Sequence, residues 1–76
     1  MNKTRRMELS KVIGDLERIR NKIEAIMDEE QECFDNLSEG LQATMRGEQM
    51  EGAVENLELA IESIDEAIEY IEEASM

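Results

Sequence analysis

Twenty carboxylates, one thiol and no imidazole define the chemistry open to this chain of 76 residues. The run Asp28-Glu29-Glu30-Gln31-Glu32 offers oxygen ligands of the kind that hold hard cations. It lacks the alternating donors and central glycine of a calcium loop, and its carboxylates spread around the end of a helix, so a solvated helical surface is the expectation. Glu55, Glu62 and Glu69 recur every seven residues and would line one edge of a helix, as in the carboxylate-bridged metal centres of helical bundles. Those centres take histidine from a Glu-x-x-His spacing, and this sequence has none. Cys33 has no histidine to act as its base and, as the single cysteine, no partner for an internal disulfide. Falling at an apolar position of a helical stripe, it is expected to be a small buried hydrophobe. The stretch from Gly40 to Gly47 has the glycine spacing of a phosphate loop without the Lys-Ser or Lys-Thr that must follow it. No enzymatic activity, metal or cofactor is expected.

Whatever binds must therefore be positioned by helices. Residues 53–73 form three tandem heptads, each opening with alanine, followed by Val or Ile, then Glu, with Leu or Ile three places later. Such a repeat marks one face of a long helix packed against another helix. Its seam is Met50, Val54, Leu57, Ile61, Ile64, Ile68 and Ile71, flanked by Ala53, Ala60, Ala67 and Ala74, small side chains that allow a close neighbour. Earlier in the chain Leu9, Val12, Leu16, Ile19, Ile23, Ile26, Cys33 and Leu37 follow the same alternation, with Glu30 interrupting the seam and Ile13, Met27 and Phe34 widening it. Gly14 falls opposite that stripe, on the solvent side, at a cost of about 1 kcal/mol relative to Ala. Proline is absent, and Gly40, Gly47 and Gly52 gather with Asn36, Ser38 and Thr44 where the helix should break. The pattern predicts one domain over 1–76, with a helix over about 4–33, a connector over about 34–43 and a second helix over about 44–74 capped by Thr44. The fold class is all-α, an antiparallel two-helix hairpin resembling a coiled coil with an alanine-rich edge.

Charge sets the direction of the hairpin. Residues 1–24 hold seven basic and four acidic residues, a net of +3, whereas residues 48–76 hold ten acidic and no basic residue, a net of −10. An antiparallel pairing sets the basic start beside the acidic end, and gives the opening Asn2-Lys3-Thr4-Arg5-Arg6 an internal salt-bridging role. Both apolar stripes are wider than a two-stranded seam requires. A symmetric dimer of hairpins, a four-helix bundle, would cover the excess, with Leu16, Ile19, Ile23, Ile26, Val54, Leu57, Ile61, Ile64, Ile68 and Ile71 as its core and dimer seam. The rival expectation is that the apolar edge is kept for a different protein.

The whole chain carries a formal charge of −12. Such a polyanion repels nucleic acid and anionic membrane and is drawn to basic protein surfaces. No apolar run approaches bilayer length and no signal-peptide pattern is present, so the expected location is the cytoplasm. The connector Phe34–Ala43 is longer than an antiparallel hairpin needs. Phe34, Leu37 and Leu41 stand at helical spacing, which predicts a short helical turn begun at Asn36 or Ser38, folded back as a plug on the bundle end. The second reading, ranked below the plug, is a recognition tip carrying Asp35, Asn36, Leu37, Glu39, Leu41, Gln42 and Arg46.

The opening Asn-Lys-Thr-Arg-Arg, the acidic run at 28–32, the Asp35-Asn-Leu-Ser-Glu-Gly-Leu-Gln connector, Arg46-Gly-Glu-Gln-Met and the closing Ala/Ile/Glu heptads together resemble a group of small acidic helical proteins encoded by phages and prophages of low-GC Gram-positive bacteria. The resemblance spans nearly the whole chain, and the connector is its specific part. It implies a genetic setting, with the cytoplasm of a bacterial host as the location, and assigns no functional residues. Two functions fit that setting. One is an adaptor that binds another protein through its acidic surface or its connector. The other is an inhibitor that imitates the charge of nucleic acid, supported by acids spaced evenly along the second helix at Glu48, Glu51, Glu55, Glu58, Glu62, Asp65, Glu69 and Glu72.

Overall fold

The computed structural model describes all residues from 1 to 76. Helix α1 spans Lys3–Asp35 and opens on Asn2, whose side-chain oxygen accepts the Arg5 amide at 2.8 Å. It runs two residues past the expected end, to where the Asn36 amide donates back to the carbonyls of Glu32 and Phe34. Ser38 caps a single turn, α2, over Glu39–Gln42. Thr44 then caps α3, Met45–Ala74, by accepting the Gly47 amide at 3.4 Å. There are no strands, and α1 and α3 pack antiparallel along their length, so the fold is the all-α helical hairpin that the heptads predict. No helix is long and apolar enough to cross a membrane.

The hairpin is a rod, 58 × 15 × 12 Å, with a radius of gyration of 17.2 Å. A compact chain of this length would have a radius near 11 Å. The consequence is a thin core: Ile61, 6% exposed, and Ile68, 8% exposed, are the only buried hydrophobic side chains. Register is fixed by Arg20, whose Nε donates to Asp65 Oδ1 at 2.9 Å across the two helices. Counting outward from that pair, Ile23 and Leu16 stand level with Ile61 and Ile68 to within a residue. By the same count Met76 lies level with about Leu9, so residues 1–8 of the chain extend past α3, and all of them are exposed.

Four expectations change. The α1 column turned toward α3 is Ile13, Leu16, Ile23, Met27 and Phe34, with Arg20 and Glu30 in the same column, all half-buried. Ile19 and Ile26, expected in the core seam, are instead 50% and 55% exposed, and Val12 is exposed beside them. The stripe is three positions wide and one opposing helix covers only two of them. Cys33 belongs to the same uncovered column and is exposed, not the buried hydrophobe expected. The basic opening does not form the internal salt bridges expected of it: the ion pairs are Arg18–Asp15, Arg20–Glu24 and Arg20–Asp65, and Lys3, Arg5 and Arg6 take no part. They lie on the overhang, where α3 offers nothing to pair with. Gly14 is half-buried rather than open to solvent, because the Arg18 guanidinium lies 3.8 Å from where its Cβ would stand.

Candidate functional site

The connector is held by its own backbone and by one close approach. The Leu37 amide donates to the Phe34 carbonyl at 3.0 Å, and Gln42 Nε2 donates to the same carbonyl at 3.1 Å, tying the end of α2 to the end of α1. The Thr44 hydroxyl donates to the Leu41 carbonyl, so one side chain both closes α2 and caps α3. Gly47, in the first turn of α3, is buried: a Cβ there would stand 2.2 Å from the Gln42 carbonyl oxygen, which only a bare Cα permits. Sequence reasoning counted Gly47 with the helix-breaking glycines and missed this contact. The available signal was a glycine three residues after a capping threonine, inside the helix that the threonine begins.

The proposed tip residues divide accordingly. Leu37 and Gln42 turn inward and are half-buried, whereas Asp35, Asn36, Glu39, Leu41 and Arg46 are exposed. Asp35 accepts from Gln31 Nε2 at 2.9 Å, and Asn36 terminates α1. Leu41 is 53% exposed on a turn fixed at both ends. Arg46 lines a shallow hollow with Glu30, Gln49, Met50 and Ala53, so a single cation stands at an otherwise acidic end. Asp28, Glu29, Glu32, Asp35, Glu39, Glu48 and Glu51 are all exposed there. Much of that charge sits at the C-terminal end of α1, where the helix dipole disfavours it. Helix stability therefore does not explain its placement.

Around the rod, charge is sorted by side. Eight of the ten acids of α3 occupy two adjacent columns around the rod, Glu48, Glu55, Glu62 and Glu69 in one and Glu51, Glu58, Asp65 and Glu72 in the next, and Glu66 and Glu73 stand with Leu59 in a third. Arg20 reaches into this acidic side from the seam. Its hydrogen bond to Asp65, and then the one to Glu24, hold its pKa above the ordinary arginine value. A base stabilised in this way gives up its contribution only as pH rises through that raised value, so the pair is intact at neutral pH.

The opposite side carries almost no charge on α3. Val12, Ile19, Ile26 and Cys33 each immediately precede a seam residue of α1, as Ala53, Ala60 and Ala67 do on α3, and in an antiparallel pair such positions fall on the same side. The aliphatic ridge is exposed and the alanine column half-buried. The next column out on α3 is Gln49, Asn56, Ser63 and Tyr70, all uncharged, whereas the next column out on α1 is Glu8, Asp15, Lys22 and Glu29, all exposed.

No group of three or more His, Cys, Asp and Glu side chains is arranged to hold a metal ion. Compared with models of protein families, with curated protein sequences and with solved structures, the chain matches none.

Proposed function

We propose that this chain is a small protein-interaction module and not an enzyme, phage- or prophage-encoded and acting in the cytoplasm of a bacterial host. It binds a protein with a basic surface through the connector end of the hairpin. The observation that carries this reading is Leu41, a large aliphatic side chain exposed on a capped and strapped turn at an end of the hairpin rich in exposed carboxylates. An apolar anchor inside a polar rim is the usual anatomy of a binding patch, and a pre-ordered backbone reduces the entropy lost on binding.

The second reading, imitation of nucleic acid, draws on the two acidic columns of α3. They supply two carboxylates per heptad, one per roughly 5 Å of helix axis, against one charge per roughly 1.7 Å in duplex DNA. That is about a third of the density being imitated, which ranks this reading below the adaptor.

Capture from nuclease-treated bacterial lysate, at low and at moderate salt, separates the two. The adaptor retains its partner at moderate salt and loses it with Leu41→Glu. A DNA- or RNA-handling protein released as salt rises, displaced by added nucleic acid and indifferent to Leu41→Glu, would instead establish the mimic.

A further inference from the structure

We propose that the side of the hairpin formed by the Val12, Ile19, Ile26 and Cys33 ridge of α1 and the two uncharged columns of α3 seats a second copy of this chain. The product is a four-helix bundle in which α1 of each protomer lies against α3 of the other and both connectors stand at one end. The inference stands independently of what the connector binds.

Surface area gives the first argument. The chain exposes 5796 Å², whereas a compact single chain of 8.7 kDa exposes about 4,700 Å². Removing that excess from two chains would bury about 2,200 Å², within the range of obligate homodimers. The second argument is composition. In a chain where 37% of residues are charged, two neighbouring columns of α3 run from Gln49 to Ala74 without a charge. Beside them, on the same side, stands the Val12, Ile19, Ile26 and Cys33 ridge. Solvation explains the acidic side and leaves this one unexplained, and its length matches the length of another hairpin.

Steric fit and charge choose the arrangement. A bulky ridge on α1 and a column of alanines on α3 complement each other, so α1 against the partner's α3 fills the gap that alanine leaves. Pairing like with like would set bulky against bulky and alanine against alanine. It would also bring together two α3 helices, each with ten acidic residues and one basic residue, a net of −9. Helix α1, with nine acidic and seven basic residues, has a net of only −2. A two-fold axis along the rod satisfies both preferences and places the two connectors side by side.

Sedimentation equilibrium of the purified full chain tests this directly, at about 100 µM and moderate salt, where a functional dimer should be populated. The expected mass is twice 8.7 kDa. Ile19→Glu and Ala60→Glu, each placing a charge in the interface twice, should weaken association by about a hundredfold or more. Leu59→Glu, at an exposed position outside both uncharged columns, should leave it unchanged. The unaltered protein supplies a check that needs no interface substitution. The Cys33 thiol should react with a thiol reagent more slowly as protein concentration rises, because the partner covers it. For the arrangement, spin labels on Gly40→Cys in a Cys33→Ser chain should lie within about 30 Å, a few helix diameters, and not near the 58 Å length of the rod. Gly40 has nothing within 4 Å of its Cβ position, so the label does not disturb the turn. A monomer at this concentration, with Cys33 reactivity independent of concentration, would overturn the proposal and leave the face to a different protein. So would a dimer indifferent to both glutamates, or labels at opposite ends of the bundle.

Discussion

Gly47 and Gly52 are five residues apart on one helix and make opposite demands. A methyl at position 47 would meet the Gln42 carbonyl, carbon and Cα, all backbone atoms within 3 Å, whereas one at position 52 would meet nothing within 4 Å. Gly47→Ala should therefore lower stability by about 1 to 3 kcal/mol, since the connector must move to admit it. Gly52→Ala should raise stability by about 0.5 to 1 kcal/mol, the usual gain for alanine within a helix. Urea denaturation of both variants at one protein concentration checks the pair, and equal signs would refute the close approach. Sequence marked both glycines as helix breakers because composition alone cannot distinguish a glycine that ends a helix from one that lets another backbone touch it. Arg20 was legible only as one of seven basic residues near the start of the chain. Its position in the seam column, half-buried and bridging to Asp65, depends on register, which a heptad pattern leaves open to whole-heptad shifts.

At the scale of elements, the heptads of α3 carried most of what could be known. Val54, Leu57, Ile61, Ile64, Ile68 and Ile71 all lie half-buried or buried on the seam, and Thr44 caps the helix as its position implied. The three-residue-wide stripe of α1 was legible as a stripe, but not which two of its columns face α3. Two adjacent pairs of columns make equally regular seams, and the choice rests on how the partner helix rolls. Ile19, Ile26 and Cys33 fell on the other side of that choice. The connector turn was visible in the spacing of Phe34, Leu37 and Leu41, whereas the outward orientation of Leu41 depends on the straps made by Gln42 and Thr44. A seam this thin should respond sharply to truncation. Ile61→Ala is expected to cost about 2 to 5 kcal/mol, the range for a large aliphatic removed from a packed site. Leu59→Ala, two residues away and exposed, should fall within about 0.5 kcal/mol of the parent. Chemical denaturation read by circular dichroism measures both, and similar costs would mean that the α1–α3 seam is not the core.

At the scale of the whole molecule, two buried aliphatic side chains and a net charge of −12 describe a hairpin that holds itself together weakly. The sorting of its surface gives that weakness a meaning. One side of α3 is kept charged and solvated, the other carries no charge from Gln49 to Ala74 and lies beside the exposed aliphatic ridge of α1, and the connector end exposes Leu41 among many carboxylates. If the fold is completed by a second copy, folding and association are one equilibrium, and stability must depend on protein concentration. The most direct measurement is the urea midpoint of the unmodified chain at two concentrations a hundredfold apart. The account predicts a higher midpoint at the higher concentration, corresponding to about 2.7 kcal/mol of added stability by mass action. A midpoint that does not move with concentration would show that the single hairpin is the folded unit and would contradict the account.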